Sequence, residues 1–421
     1  MEFQKIKLHR SEKNRAAVTQ ITLDDDYNVP DYRQDIVKVI KERGELRFDE
    51  VKAMEGAAWI KGSLVFKVLY RSDKQEGKIS CLRGEIPFQE RLNMDGLSEY
   101  DAVHATGDME DLTIGVINSR KLNVRAVIVL TASSEKEVDE ELTCELSDGS
   151  SYEQNIVEKE ALKLLVVRRD ICRQKSEAVL PSSKPNIREI LWQSMQLRNV
   201  ESRLVEGKIR LSGEILVSIL YNDEEEGEHL SWYETTVPLD AQAECGVMED
   251  DCIWQVQMVP LTMELEVKPD YDGEERILVM ELALDTHIRI WKEEKIRLLT
   301  DLYSLQKEVK PVFRECPLER LLVKNAAKCR MTEQMELKED KEKVLQICSC
   351  EGKVLLERQE IKPDGVLAEG TVEVNILYIT PDDHMPVGAV QEIYPFSQLV
   401  EIPEMSAQAK VELDASLEQL S

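Results

Sequence analysis

An internal repeat constrains this 421-residue chain more than any other feature. Three segments align: Gly62-Ser-Leu-Val-Phe-Lys-Val-Leu-Tyr70, Gly213-Glu-Ile-Leu-Val-Ser-Ile-Leu-Tyr221 and Gly370-Thr-Val-Glu-Val-Asn-Ile-Leu-Tyr378. Successive copies are offset by 151 and 157 residues, and a proline follows each tyrosine 17 positions later, as Pro87, Pro238 and Pro395. The register continues outside the motif. Pro30 aligns with Pro181, Ile36 with Ile187, Cys172 with Cys329, and Ile190 with Ile347. Self-similarity at a fixed spacing means that one structural unit is used three times.

Each copy alternates with period two, the spacing of a strand. Leu64, Phe66, Val68 and Tyr70 share one face, as do Ile215, Val217, Ile219 and Tyr221, and Val372, Val374, Ile376 and Tyr378. The other face carries Lys67, Ser218, Glu373 and Asn375, so one face is expected in the core and the other partly in water. The leading glycines are expected to allow a bulge or a close backbone approach at the strand start. Polar loops at residues 71–78, 222–228 and 380–386 read as hairpin ends, and the aligned prolines suit edge strands. Lys121–Leu130 and Ile277–Leu284 close copies one and two as further alternating strands.

Short helices are expected at Asp31–Lys41, Asn186–Gln196 and Lys341–Cys348, because apolar residues such as Ile36, Val39 and Ile40 fall at i, i+3 and i+4. The joining segments 132–179 and 286–337 read as added strands. The expected fold is therefore mainly β: three tandem antiparallel β-sandwich-like repeats, each with a short helix near its start. Residues 1–131 would form repeat one, 132–290 connecting strands plus repeat two, and 291–421 connecting strands plus an incomplete repeat three. Copy one runs 32 residues from Pro87 to Ser119 before its closing strand, and the same distance from Pro395 passes Ser421. The third copy thus lacks its last strand as written, and the reading frame is expected to continue.

Composition excludes several classes of function. Lys and Arg total 54 against 82 Asp and Glu, a net charge of −28, which opposes a nucleic-acid backbone or an anionic membrane as partner. Nine scattered cysteines read as reduced thiols of a cytosolic protein, and no apolar run is long enough to span a membrane. No phosphate-cradling glycine loop and no nucleophile elbow is present. His9, His104, His229, His287 and His384 stand at no ligand spacing, and Cys348-x-Cys350 alone does not make a zinc site. Asp270–Glu275 lacks the calcium-loop pattern and reads as a hairpin turn. The acidic runs Asp24–Asp26 and Glu249–Asp251 read as solvated surface, and the five tryptophans occupy no common repeat column, which favours packing over a sugar platform. No catalytic, cofactor or metal residue is assigned, and the chain reads as a non-enzyme.

The segment Val29-Pro-Asp-Tyr-Arg-Gln-Asp-Ile-Val-Lys-Val-Ile40 carries a family resemblance, with Gly62–Tyr70, Gly84-Glu-Ile-Pro-Phe88 and Ile117-Asn-Ser-Arg-Lys-Leu122. Together they resemble the SPOCS domain of endospore-forming Firmicutes, in the pattern of SipL-type spore coat morphogenetic proteins. Leu299–Ser304 and Leu413–Ser421 are similar to the matching stretches of that family. Copy two lacks the Asn-Ser-Arg-Lys element, and copy three lacks the Val-Pro-Asp-Tyr start. The resemblance implies a non-catalytic structural or interaction protein of the mother-cell cytosol. It would dock at the forespore surface to a coat scaffold ATPase, stage IV sporulation protein A. In that family a LysM domain follows the repeats and carries the ATPase contact; this sequence contains none. The alternative is a cell-wall glycan-binding protein of the LysM-linked type, with peptidoglycan reached only through such a domain.

Overall fold

The computed structural model describes residues 2–420 except 73–76, 148–151, 225–228, 250, 307, 336, 338–342 and 404, and only the backbone of 12–15. Every regular element among them is a strand. The first unit contains Phe3–Asn28 (β1), Lys38–Met54 (β2), Ala57–Arg71 (β3), Ile79–Asn93 (β4), Val103–Asn118 (β5) and Lys121–Leu146 (β6). The second contains Glu153–Val179 (β7), Ile187–Val205 (β8), Lys208–Asp223 (β9), Leu230–Glu244 (β10), Cys252–Pro269 (β11) and Glu275–Tyr303 (β12). The third contains Gln346–Lys362 (β13), Gly365–Ile379 (β14) and Val387–Glu401 (β15). The expected boundaries at 131/132 and 290/291 fall inside β6 and β12.

The strands form antiparallel three-stranded sheets in the orders β2-β3-β4 and β1-β6-β5, then β8-β9-β10 and β7-β12-β11, then β13-β14-β15. The repeat motif is the middle strand of one sheet in every unit. Pro87, Pro238 and Pro395 lie on the edge strands β4, β10 and β15, where a missing N–H disturbs no outer ladder. In each of the first two units, both sheets contribute to one apolar core. Leu64, Phe66 and Val68 of β3 meet Leu122, Val124 and Ala126 of β6, all fully buried. Tyr70, Tyr221 and Tyr378 are the bulkiest fully buried side chains.

Gly62, Gly213 and Gly370 sit inside β3, β9 and β14, not at their starts. A Cβ on them would lie 2.4, 2.9 and 2.1 Å from the carbonyl oxygens of Arg47, Arg198 and Leu355. Those three carbonyls are themselves one repeat column. Beside each, the neighbouring strand shifts register, at Phe48/Glu50, Arg198/Glu201 and Leu356/Arg358. The glycine is thus required because a bulge pushes a backbone against it.

The expected helices are strands. Residues 31–37 form a turn and a bend leading into β2, β8 starts at Ile187, and β13 starts at Gln346; Lys341 and Glu342 lie outside the described residues. The i, i+3, i+4 spacing has a different cause. A bulge at Val39/Lys41 displaces Ile40 from the ladder, and equivalent bulges displace Leu191 and Cys348. Ile36 and Val39 pack into the core of their own unit, whereas Ile40 packs into a second core shared between units. A bulged strand serving two cores therefore imitates helical periodicity. In the joining segment 132–179, residues 132–146 are the end of β6 and residues 153–179 are β7, but the described residues of 304–337 are not strand.

The shared core unites the three copies through matching columns. These are Ile40, Leu191 and Cys348; Leu69, Leu220 and Leu377; Ile79, Leu230 and Val387; and Cys81, Trp232 and Ala389. Around it β4 meets β8, β10 meets β13, and β15 meets β2. Each contact joins the last strand of one motif sheet to the first strand of the next, so a head-to-tail contact closes into a ring of three. The face expected to be partly wet is therefore buried at this end, with Leu69, Leu220 and Leu377 at most 1% exposed and Ser218 at 4%.

Candidate interaction surface

A turn at residues 29–36 is held from three sides. Arg120 Nη1 donates to Arg33 O at 2.6 Å, and its Nη2 donates to Pro30 O at 2.9 Å and Val29 O at 3.2 Å. Tyr70 OH donates to Gln34 O at 3.1 Å, and Ile36 N donates to Ser119 O at 2.9 Å. A guanidinium suits this task because its fixed fork serves several carbonyls at once. Arg120 belongs to the Asn-Ser-Arg-Lys element, and it clamps the Val-Pro-Asp-Tyr element.

Copy two keeps the clamp with different flanks. Arg276 Nη2 donates to Pro181 O at 2.7 Å, Lys184 O at 3.0 Å and Leu180 O at 3.3 Å, and Tyr221 OH donates to Pro185 O at 3.1 Å. Burial pushes the Tyr221 phenol up to about 12, so it stays a donor. Leu180, Pro181 and Lys184 are the repeat partners of Val29, Pro30 and Arg33. Only the arginine of the lost element survives, five residues out of the 151-residue register, which hid it from the sequence comparison.

What the clamp presents differs between copies. The first turn exposes Tyr32 at 82% beside Asp31; the second has Ser182 and Ser183 there. The Arg33 guanidinium lies 5.6 Å from the Tyr32 ring centre and its Nη1 is 2.9 Å from Glu189 of the second unit. Neighbouring loops come together at this end. Arg71 Nη1 donates to His384 O at 3.1 Å, and Gly77 packs against the Asp383 carbonyl, where a Cβ would approach to 2.0 Å. Residues 73–76 and 225–228 of the predicted loops lie outside the described residues.

Two ionic junctions hold the units in place, and neither was visible in the sequence. The first centres on Glu351 of β13. Its Oε2 lies 3.1 Å from Arg43 Nη1, and its Oε1 accepts from Trp192 Nε1 at 3.2 Å and from Lys41 Nζ at 3.4 Å. Burial alone would raise the Glu351 carboxyl, but Lys41 and Arg43 hold it below the usual range. Burial pulls the Lys41 ammonium down against the pull of Glu351. The second junction joins units one and two. His104 and His287 come within 5.5 Å, His104 Nδ1 lies 2.8 Å from Arg169 Nη1, and His287 Nε2 lies 3.4 Å from Glu135. Arg169 pairs with Asp285, and Arg289 Nε lies 3.2 Å from Glu135. Burial, helped by the neighbouring arginines, pushes both histidines below their ordinary value.

The remaining sequence candidates take packing positions. Cys348 is buried in the shared core and its thiol is pushed up to about 12 by burial, which disfavours the thiolate that metal binding needs. Asp270–Glu274 is the β11–β12 hairpin turn, with Asp270 Oδ1 accepting from Asp272 N at 2.9 Å and Glu274 N at 3.1 Å. Trp192 and Trp232 pack in or against the shared core. Among the described residues no three His, Cys, Asp or Glu side chains are grouped to hold a metal ion. Nor is any helix among the described residues long and apolar enough to cross a membrane.

The pattern of the SipL, SPOCS domain family matches residues 35–117, 186–268 and 343–421, more than half of the chain. The chain belongs to the SipL SPOCS-domain family. No curated protein and no solved structure matches it. Each SPOCS match starts just before a motif sheet and ends with β5, with β11 or at residue 421, leaving β6 and β12 outside. Membership gives the chain a sporulation-related role in protein interaction.

Proposed function

We propose that this SPOCS protein is a non-catalytic interaction protein of spore coat assembly, which docks through its loop-bearing end to a coat scaffold at the forespore surface. The paired sheets of each complete unit are read as a β-sandwich that acts as a rigid mount. The observation that carries the proposal is the clamped turn. Arg120 and Tyr70 spend several hydrogen bonds on fixing a backbone whose most prominent side chain, Tyr32, contributes little to packing at 82% exposure. A rigid, exposed tyrosine is the type of residue that anchors protein interfaces. The partner implied by the resemblance is the scaffold ATPase, stage IV sporulation protein A, and the compartment is the mother-cell cytosol.

The test is direct titration of the purified chain against the purified ATPase. Wild-type protein should bind, and Tyr32→Ser should weaken binding about 30-fold, the size of an interface anchor worth about 2 kcal/mol. Its thermal midpoint should not move, because exposed substitutions change stability by about 0.5 kcal/mol or less. Equal affinity of the two proteins would remove Tyr32 from the interface, and absence of wild-type binding would sink the docking role.

A further inference from the structure

Each motif sheet has a second face, directed away from the core of its own unit, which forms the shared core at the loop end. The strand register fixes which residues sit side by side across that face. On β2-β3-β4 one cross-strand row is Arg43, Lys67 and Arg83. The equivalent rows are Ser194, Ser218 and Glu234 on β8-β9-β10, and Glu351, Asn375 and Gln391 on β13-β14-β15. The row is cationic in the first copy alone. Serine and asparagine fill the Lys67 column in the other two, so the fold itself requires no charge there.

Like charges opposite one another across a ladder destabilise a sheet. Arg43 is compensated, because its Nη1 lies 3.1 Å from Glu351 Oε2 and its Nε lies 3.1 Å from Glu45 Oε1. Lys67 and Arg83 are not: among the described residues neither side chain has a hydrogen-bond or ion-pair partner. Burial, helped by the flanking guanidinium groups, pulls the Lys67 ammonium below its ordinary value. Glu45 opposes that shift, but its carboxylate is already engaged by Arg43. A half-buried ammonium without an acceptor is costly. Lys67 is half-buried and Arg83 is exposed, so the row is reached from solvent at its β4 end.

Two uncompensated cations match the charge of one dianion. Adjacent strands stand about 4.8 Å apart, so long side chains from neighbouring ladder positions reach a common centre. The guanidinium fork suits a pair of oxygens on one anion, and the ammonium adds a point charge. The net charge of −28 does not forbid such a ligand. At physiological salt, exposed charges more than about 8 Å away are largely screened, so the local row decides.

We propose that Lys67 and Arg83, with Arg43 beside them, form a binding site for a dianionic tetrahedral oxyanion of the phosphate class, free or as a monoester. Occupation removes the repulsion along the row and gives Lys67 its acceptor. The site belongs to the first copy only. The inference does not depend on Tyr32 or on what docks at the loop end.

The probes are inorganic phosphate and methyl phosphate, each titrated calorimetrically into the full chain at fixed ionic strength set with chloride. Saturable one-to-one binding is expected, and the tighter of the two probes tells a free ion from an esterified group. Lys67→Met should weaken binding about 10- to 100-fold, the worth of one charged hydrogen bond. It should not lower the thermal midpoint in phosphate-free buffer, because no partner is lost and a desolvated charge is removed. Arg83→Gln, at an exposed position, should weaken binding about tenfold and leave the midpoint unchanged. Absence of saturable binding of both probes, or unaltered affinity in either variant, overturns the proposal. A Lys67→Met chain that is less stable without phosphate also overturns it, since Lys67 would then have its partner inside the fold.

Discussion

Lys41 and Glu351, 310 residues apart in sequence, meet at 3.4 Å inside the contact between the first and third copies. Their side chains are 5% and 13% exposed. Glu351→Ala would strand Lys41 and the Trp192 N–H and leave Arg43 with Glu45 alone, and removing one partner of a buried pair costs about 3–5 kcal/mol. The double variant Lys41→Met, Glu351→Met should cost less than Glu351→Ala, because apolar replacement removes the desolvation burden on both sides. Urea midpoints of the three proteins check this; a double variant weaker than the single would show that the pair stabilises the ring outright.

Arg120 is expected to act through geometry rather than charge. Arg120→Ala should cost about 1–3 kcal/mol, the penalty for charged hydrogen bonds removed from buried acceptors. Arg120→Lys should restore little of that, since one ammonium cannot reach the three carbonyls that the guanidinium fork spans. Amide exchange at Arg33 and Ile36, whose N–H groups bond Pro30 O and Ser119 O, should accelerate in both variants. Full protection in the lysine variant would contradict the clamp.

The junction of His104 and His287 makes stability depend on pH. Both histidines are held below their ordinary 6.5, with Arg169, Arg289, Glu135 and Asp285 facing them. The unfolded chain therefore takes up protons first as pH falls. The histidine contribution is fully present above about pH 6.5 and is lost as pH falls through the lowered folded values. The ceiling is about 1.4 kcal/mol per histidine per pH unit, reduced by solvent screening of these partly exposed rings. Urea midpoints should drop between pH 7.5 and 5.5, and His104→Gln with His287→Gln should flatten the slope. An unchanged slope would place the titrating groups elsewhere.

The repeat, its middle strands, its hairpins and its edge prolines were legible because alternation and turn residues are local signals. The helices were misread because a bulge at Ile40 sends neighbouring apolar residues to two different cores, which a periodicity count cannot separate from one helical stripe. The shared core did leave a trace. Leu69, Leu220 and Leu377 precede the tyrosine in all three copies although they point away from the unit core, and an apolar residue repeated on an outward face signals contact between copies. Nothing comparable announced the charged junctions. Lys41, Trp192 and Ser349 share one column, and Arg43, Ser194 and Glu351 share the next. The residues that lock the ring are therefore those that the repeat does not conserve between its copies.

The succession β4 to β8, β10 to β13 and β15 to β2 has a bearing on assembly. A surface that joins front to back can propagate without limit when it sits on separate molecules, and that growth makes fibres. Here one polypeptide carries all three joints and spends each of them on itself. Any larger assembly built from this protein must grow through other faces, with the ring as its indivisible tile.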